Sequence, residues 1–120
     1  MFIYSQSTGE LTRDGQLIGT GYAGHGSGKN DPQMQQVPNA GPLPQGFYTI
    51  GLAEEHARLG PMSMELDPDP DNQMFDRSEF FIHGDNPDHV GNSSDGCIVM
   101  PPAVRQAIAA SGDDLLQVTA

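Results

Sequence analysis

The stretch "FFIHGDNPDHVGNSSDGCIVM", residues 80–100, holds the only cysteine of the chain, Cys97, and a histidine, His83, that ends an apolar run. A thiol beside an imidazole is a pair suited to nucleophilic acyl transfer. A free thiol of pKa ~8.5 is only a few per cent ionised at neutral pH, and a neighbouring ring can take its proton. Gly96 allows a tight turn just before the cysteine, so that the N–H groups of Gly96 and Cys97 could face the oxygen of a tetrahedral intermediate. Two other readings use the same residues. Cys97 could be a small buried core residue, the commonest fate of a free cysteine. His83, His89, Cys97 and an acid, Asp85 or Asp88, could hold a metal, although no pair among them has a zinc-site spacing.

For the chemistry to work, two short strands must be neighbours. "EFFIHG" and "CIVM" both read as strands, the second being too short for a helix and β-branched at its centre. If they adjoin, the loop "GDNPDHVGNSSDG" returns both side chains to one end of a sheet. The N-terminal "FIYSQSTGELTRDGQLIGTGYAG" alternates around two Gly turns as a β-meander does. His25 to Gln45 is a Gly- and Pro-rich segment without periodicity, a length of loop that usually has a function. "GFYTIGLA" and "PMSMELD" are further strands, with Met62, Met64 and Leu66 on one face, and "EEHARLG" between them reads as a turn or a single helical turn. "PPAVRQAIAASG" is the one helix, with Pro in its first turn and Gly112 as its stop. "DLLQVT" closes as a strand. The expected fold is one mainly β domain over residues 1–120 with a helix in its C-terminal half.

Composition narrows the function. The net charge of −11 from 16 acids and 5 bases excludes a phosphate-binding nucleic-acid protein and disfavours an anionic membrane surface. It is a solubility charge or an acidic face for a basic partner. No apolar run is long enough for membrane insertion, and the first residues lack the pattern of a secretory signal. Arg77 could bind a substrate carboxylate or form a surface ion pair. Tyr22, His25 and Lys29 could line a groove; "GHGSGKN" lacks the spacing of a phosphate loop. His56 and Arg58 read as structural or ion-paired, and His89 as a solvated loop residue.

The His83 to "SSDGCIVM" block resembles the His…Ser-x-Gly-Cys signature of the L,D-transpeptidase (YkuD-like) catalytic domain. It is most similar to the small L,D-transpeptidase effectors that bacteria deliver by type VI secretion, and the likeness extends over most of the chain. The resemblance implies an L,D-transpeptidase-like β-sandwich and a cysteine enzyme of peptidoglycan stem peptides that uses no cofactor. Cys97 would be the nucleophile, His83 the general base and Gly84 the carbonyl that orients its ring. Ser94, Asp95 and Gly96 would form the oxyanion turn, with Asp95, Arg77 and Tyr22 on the substrate side. The wider family commonly has His where this chain has Asp95, and a carboxylate there opposes thiolate formation unless it points away or pairs with a cation. The resemblance further implies signal-independent secretion, action in the periplasm of a target bacterium, toxicity, and a cognate immunity protein as partner. A non-catalytic β-domain that binds cell wall or protein is the competing reading.

Overall fold

The computed structural model describes residues 1–120. Nine strands form a single sheet in the order β3-β2-β1-β9-β5-β6-β7-β8-β4. The N-terminal meander is β1 (Phe2–Ser5), β2 (Glu10–Arg13) and β3 (Gln16–Thr20), each antiparallel to the next. Its second turn places Asp14 and Gly15 at φ 52° and 80°, the left-handed pair that a two-residue hairpin requires. One residue, Gly21, separates β3 from β4 (Tyr22–Ala23), yet these two strands occupy opposite ends of the sheet order. The sheet therefore curls until its edges nearly meet. Gly21 allows this closure, because a Cβ there would fall 1.8 Å from the Val99 carbonyl oxygen.

β9 (Leu115–Thr119) is the last strand of the chain and lies in the middle of the sheet, parallel to β1 and antiparallel to β5. Its Leu116 and Val118 are buried with Phe2, Tyr4, Tyr48 and Met64 in one apolar cluster. Each such side chain removed from water contributes about 1.5–3 kcal/mol. The helix α1 (Pro102–Ser111) buries Val104, Arg105 and Ile108 and ends at Gly112, whose φ of 72° a β-carbon would strain. No helix is long and apolar enough to cross a membrane.

The segment expected as a turn or a single helical turn turns only at residues 57–59. β5 (Gly46–His56) and β6 (Gly60–Pro68) run on through "EEH" as one long hairpin closed by residues 57–59. Paired glutamates disfavour a strand, but local bonding outweighs propensity here. The His56 Nδ1 accepts the N–H groups of both Arg58 and Leu59 at 3.1 Å, and its ring meets the Phe81 ring edge-on at 5.1 Å. β6 pairs antiparallel with β7 (Phe80–His83), Met64 opposite Ile82, so the hairpin tip stands at the His83 end of β7. β7 and β8 (Ile98–Val99) are parallel neighbours, with Ile82 beside Ile98 and His83 beside Val99.

Candidate active site

In this register Cys97, one residue before β8, lies beside Phe81, and His83 lies two residues further along the same strand. Residues two apart share a face, and the offset along the strand is roughly 7 Å. Both side chains open onto one cleft of about 350 Å³, lined also by Asn39, Arg58, Asp76, Glu79 and Asp95. Cys97 is half-buried rather than sealed in the core. Past His83 the cleft continues into a second lobe of about 620 Å³, bordered by Asn86, His89, Asn92 and Arg105. His83, Ser93, Asp95 and Arg58 stand at the waist that the lobes share.

The ring and the thiol are each held toward their uncharged forms. His83 Nδ1 lies 2.8 Å from the Gly84 carbonyl oxygen, which only accepts, so the proton sits on Nδ1 and Nε2 carries the lone pair. Burial holds the imidazole below its ordinary range, helped by the Arg105 and Arg58 charges. Burial also pushes the Cys97 thiol up, with Asp95 adding to the rise while the Phe81 N–H and Arg58 oppose it. The sulfur takes the Phe81 N–H at 3.4 Å and faces the Glu79 carbonyl oxygen at 3.9 Å, an acceptor for S–H. It is not hydrogen-bonded to the His83 ring. A thiol above its usual pKa beside a ring below its own makes a neutral pair, not a resting thiolate–imidazolium.

The turn before the cysteine is locked by Ser94, which is 1% exposed. Its Oγ donates to the Cys97 carbonyl at 2.6 Å and accepts the N–H groups of Gly24 and Gly96 at 2.8 and 3.0 Å. The Gly96 amide, expected to face an oxyanion, is thus engaged inside the turn, which leaves the Cys97 amide on the sulfur side. Gly96 itself has φ 138°, and a Cβ would fall 2.5 Å from the Arg77 guanidinium and 2.8 Å from Phe80. The Asp95 carboxylate is 65% exposed and 3.7 Å from the His25 ring, so it points out of the turn toward a group that can carry positive charge.

Two buried arginines bracket the pair. Arg77 donates to the carbonyls of Gln35, Gly41, Pro42 and Asp95 at 2.6–3.0 Å. This corrects the expectation of a surface ion-paired Arg77: its guanidinium borders the cleft but ties the long Gly- and Pro-rich loop to the cysteine turn. Arg105 donates to Met100 and Pro61 and packs against Gly84, where a Cβ would fall 2.6 Å from its Nη2. Arg77→Lys keeps the charge but loses the planar fork, leaving carbonyls without donors. We expect a loss of about 3 kcal/mol, read as a Tm lower by roughly 10 °C in a thermal melt.

Tyr22 also differs from its expected place on the substrate side. It lines neither lobe; its hydroxyl donates to Asp85 at 2.7 Å and accepts the Ser93 N–H at 2.9 Å. Asp85 also takes the Ser93 hydroxyl at 2.6 Å and the Gly91 N–H, so the pair braces the loop between His83 and Cys97. Three further lining residues of the cleft carry no sequence signal. Asn39, Asp76 and Glu79 line it at φ 61°, 57° and 65°. Such backbones cost about 1–3 kcal/mol each and persist only where their surroundings hold them. Arg58, read as structural or ion-paired, has no acidic partner and borders both lobes. A signal for it existed: a turn between strands β5 and β6 must sit at the His83 end once β6 pairs with β7.

No curated protein matches the sequence. The family model described as the Tlde1 domain matches residues 18–114, which takes in the long loop, the hairpin, both cleft strands and the helix. The chain belongs to the Tlde1 domain family, the type VI secretion L,D-transpeptidase effectors.

Proposed function

We propose that this chain is a cysteine-dependent peptidoglycan enzyme, an L,D-carboxypeptidase and exchange transpeptidase of stem peptides. The observation that supports the reading is that Cys97 and His83 line one polar cleft, the ring held toward its neutral form and fixed by the Gly84 carbonyl. As substrate binds, His83 Nε2 takes the Cys97 proton while sulfur attacks the carbonyl of the L,D-bond. The oxyanion forms on the side of the Cys97 N–H. The C–N bond then breaks, the leaving amine takes the proton from His83, and a thioester remains on Cys97. Water, or the amine of an incoming amino acid, loses a proton to His83 and attacks the thioester; the product departs with Cys97 reprotonated.

The open second lobe beyond His83 suits entry of water or an amine on the leaving-group side. Gly84, Ser94 and Gly96 act by placing the ring and the sulfur, and Asp95 stands on the rim. Family membership supports delivery by type VI secretion, action in the target periplasm as a toxin, and neutralisation by a cognate immunity protein. The test is mass analysis of peptidoglycan fragments after incubation with the protein. Tetrapeptides trimmed to tripeptides, or carrying an exchanged last residue, are the expected products. Fragments left unchanged by folded protein would sink the reading.

A further inference from the structure

Of the five lysines and arginines in the chain, four are committed within the fold. Arg13 pairs with Asp113 at 3.0 Å, and Lys29 donates to the Gly91 carbonyl at 2.7 Å while lying over the Tyr22 ring. Arg77 and Arg105 are buried on main-chain carbonyls. Arg58 is exposed and makes no salt bridge and no side-chain hydrogen bond. In a chain of 16 acids an unpaired arginine is unusual, and this one stands at the waist of the cleft. Its turn is held by His56, whose ring meets Phe81 of β7, the strand that carries His83, edge-on.

We propose that Arg58 binds the α-carboxylate of the residue that leaves from the scissile bond, and so restricts the enzyme to stem peptides that end in a free acid. The inference rests on the cysteine-enzyme reading above. His83 must hand a proton to the leaving nitrogen, and in a terminal residue the α-carboxylate is two bonds from that nitrogen. The anion therefore lies close to His83, on the side where the two lobes join. The acids around it, Asp85, Asp95 and Glu79, would repel a carboxylate; both terminal nitrogens of Arg77 are on carbonyls, and Arg105, which borders the second lobe, is buried and bonded to Met100 and Pro61. Arg58 is the exposed, unpaired cation at this place, with a planar fork that matches a carboxylate through two hydrogen bonds. A stem in which the leaving residue is extended or amidated lacks this charge and would be processed slowly.

The experiment compares one tetrapeptide stem as free acid and as C-terminal amide, using wild type, Arg58→Lys and Arg58→Ala. Wild type should prefer the acid by about 10–100-fold in kcat/KM, through KM more than kcat. In Arg58→Ala the preference should fall to within about threefold, and Arg58→Lys should lie between. The acid limb of the pH profile should also move upward in Arg58→Ala, because the Arg58 charge helps to hold His83 down. Alkylation of Cys97 by iodoacetate relative to iodoacetamide supplies a readout that needs no turnover. The anionic reagent should lose several-fold of its relative rate in Arg58→Ala. An acid-to-amide preference that survives the substitution, or equal alkylation ratios in wild type and Arg58→Ala, would overturn the proposal. A wild type that cleaves neither peptide would overturn the enzyme reading, and the alkylation ratio would then decide the role of Arg58 alone.

Discussion

Cys97→Ser should lower kcat/KM on a tetrapeptide stem by at least about 10⁴-fold while Tm stays within roughly 2 °C of wild type. The two halves of this expectation have separate causes. A serine hydroxyl is far harder to deprotonate than a thiol, and the neutral His83 has no fixed anion to strengthen it as a base. Stability, by contrast, owes little to the sulfur, which is half-buried at a cleft wall and touches one amide and one distant carbonyl. Steady-state kinetics and a thermal melt on the same preparation check both halves. An active serine variant would remove Cys97 from the mechanism.

His83→Gln should cost about 10²–10⁴-fold in kcat, the usual worth of a positioned general base. Glutamine suits the test because His83 is 3% exposed and a smaller residue would leave a hole beneath the cleft. The pH dependence separates loss of a base from loss of packing. A group held below its usual pKa stays neutral to lower pH, so wild-type kcat/KM should be level at neutral pH and fall only below about 6.5. The glutamine variant has no ring to protonate. Its residual rate should instead climb with pH as the thiol ionises above its ordinary range near 8.5–9. A variant that kept the wild-type acid limb would show that another group is the base.

The same protonation states bear on the reactivity of the resting sulfur. An activated cysteine is expected to react with iodoacetamide faster than the unfolded chain at neutral pH. Here burial raises the Cys97 thiol, so the resting folded protein should label more slowly than denatured protein at pH 7. Activation belongs to the step in which His83 takes the proton, not to the resting sulfur.

What could be read from the sequence follows how local each signal is. The strands β7 and β8 are marked by short apolar, β-branched runs bounded by glycine or a turn, and the helix by Pro102 and Gly112. The Ser94–Gly96 turn is local as well, since Ser94 bonds the amide two residues on and the carbonyl three residues on. The partners of Arg77 and Tyr22 are not legible in the sequence, because a side chain's type states what it can donate, not what stands opposite. Arg77 finds its carbonyls at Gln35, Gly41, Pro42 and Asp95, and Tyr22 its carboxylate at Asp85, all far along the chain. Arg58 was harder still, because its significance lies in lacking a partner, which only the folded arrangement of every acid reveals. The long hairpin that carries it runs against the strand propensity of "EEH" and is held by His56 contacts that no local pattern encodes.

Intact-mass analysis of the protein mixed briefly with a tetrapeptide muropeptide tests the central claim most directly. The account predicts a transient adduct equal to the tripeptide acyl group, mapped by digestion to Cys97, labile to hydroxylamine and absent from Cys97→Ser. Trimming of the tetrapeptide by Cys97→Ser at the wild-type rate, or an acyl adduct mapped to any other residue, would contradict it.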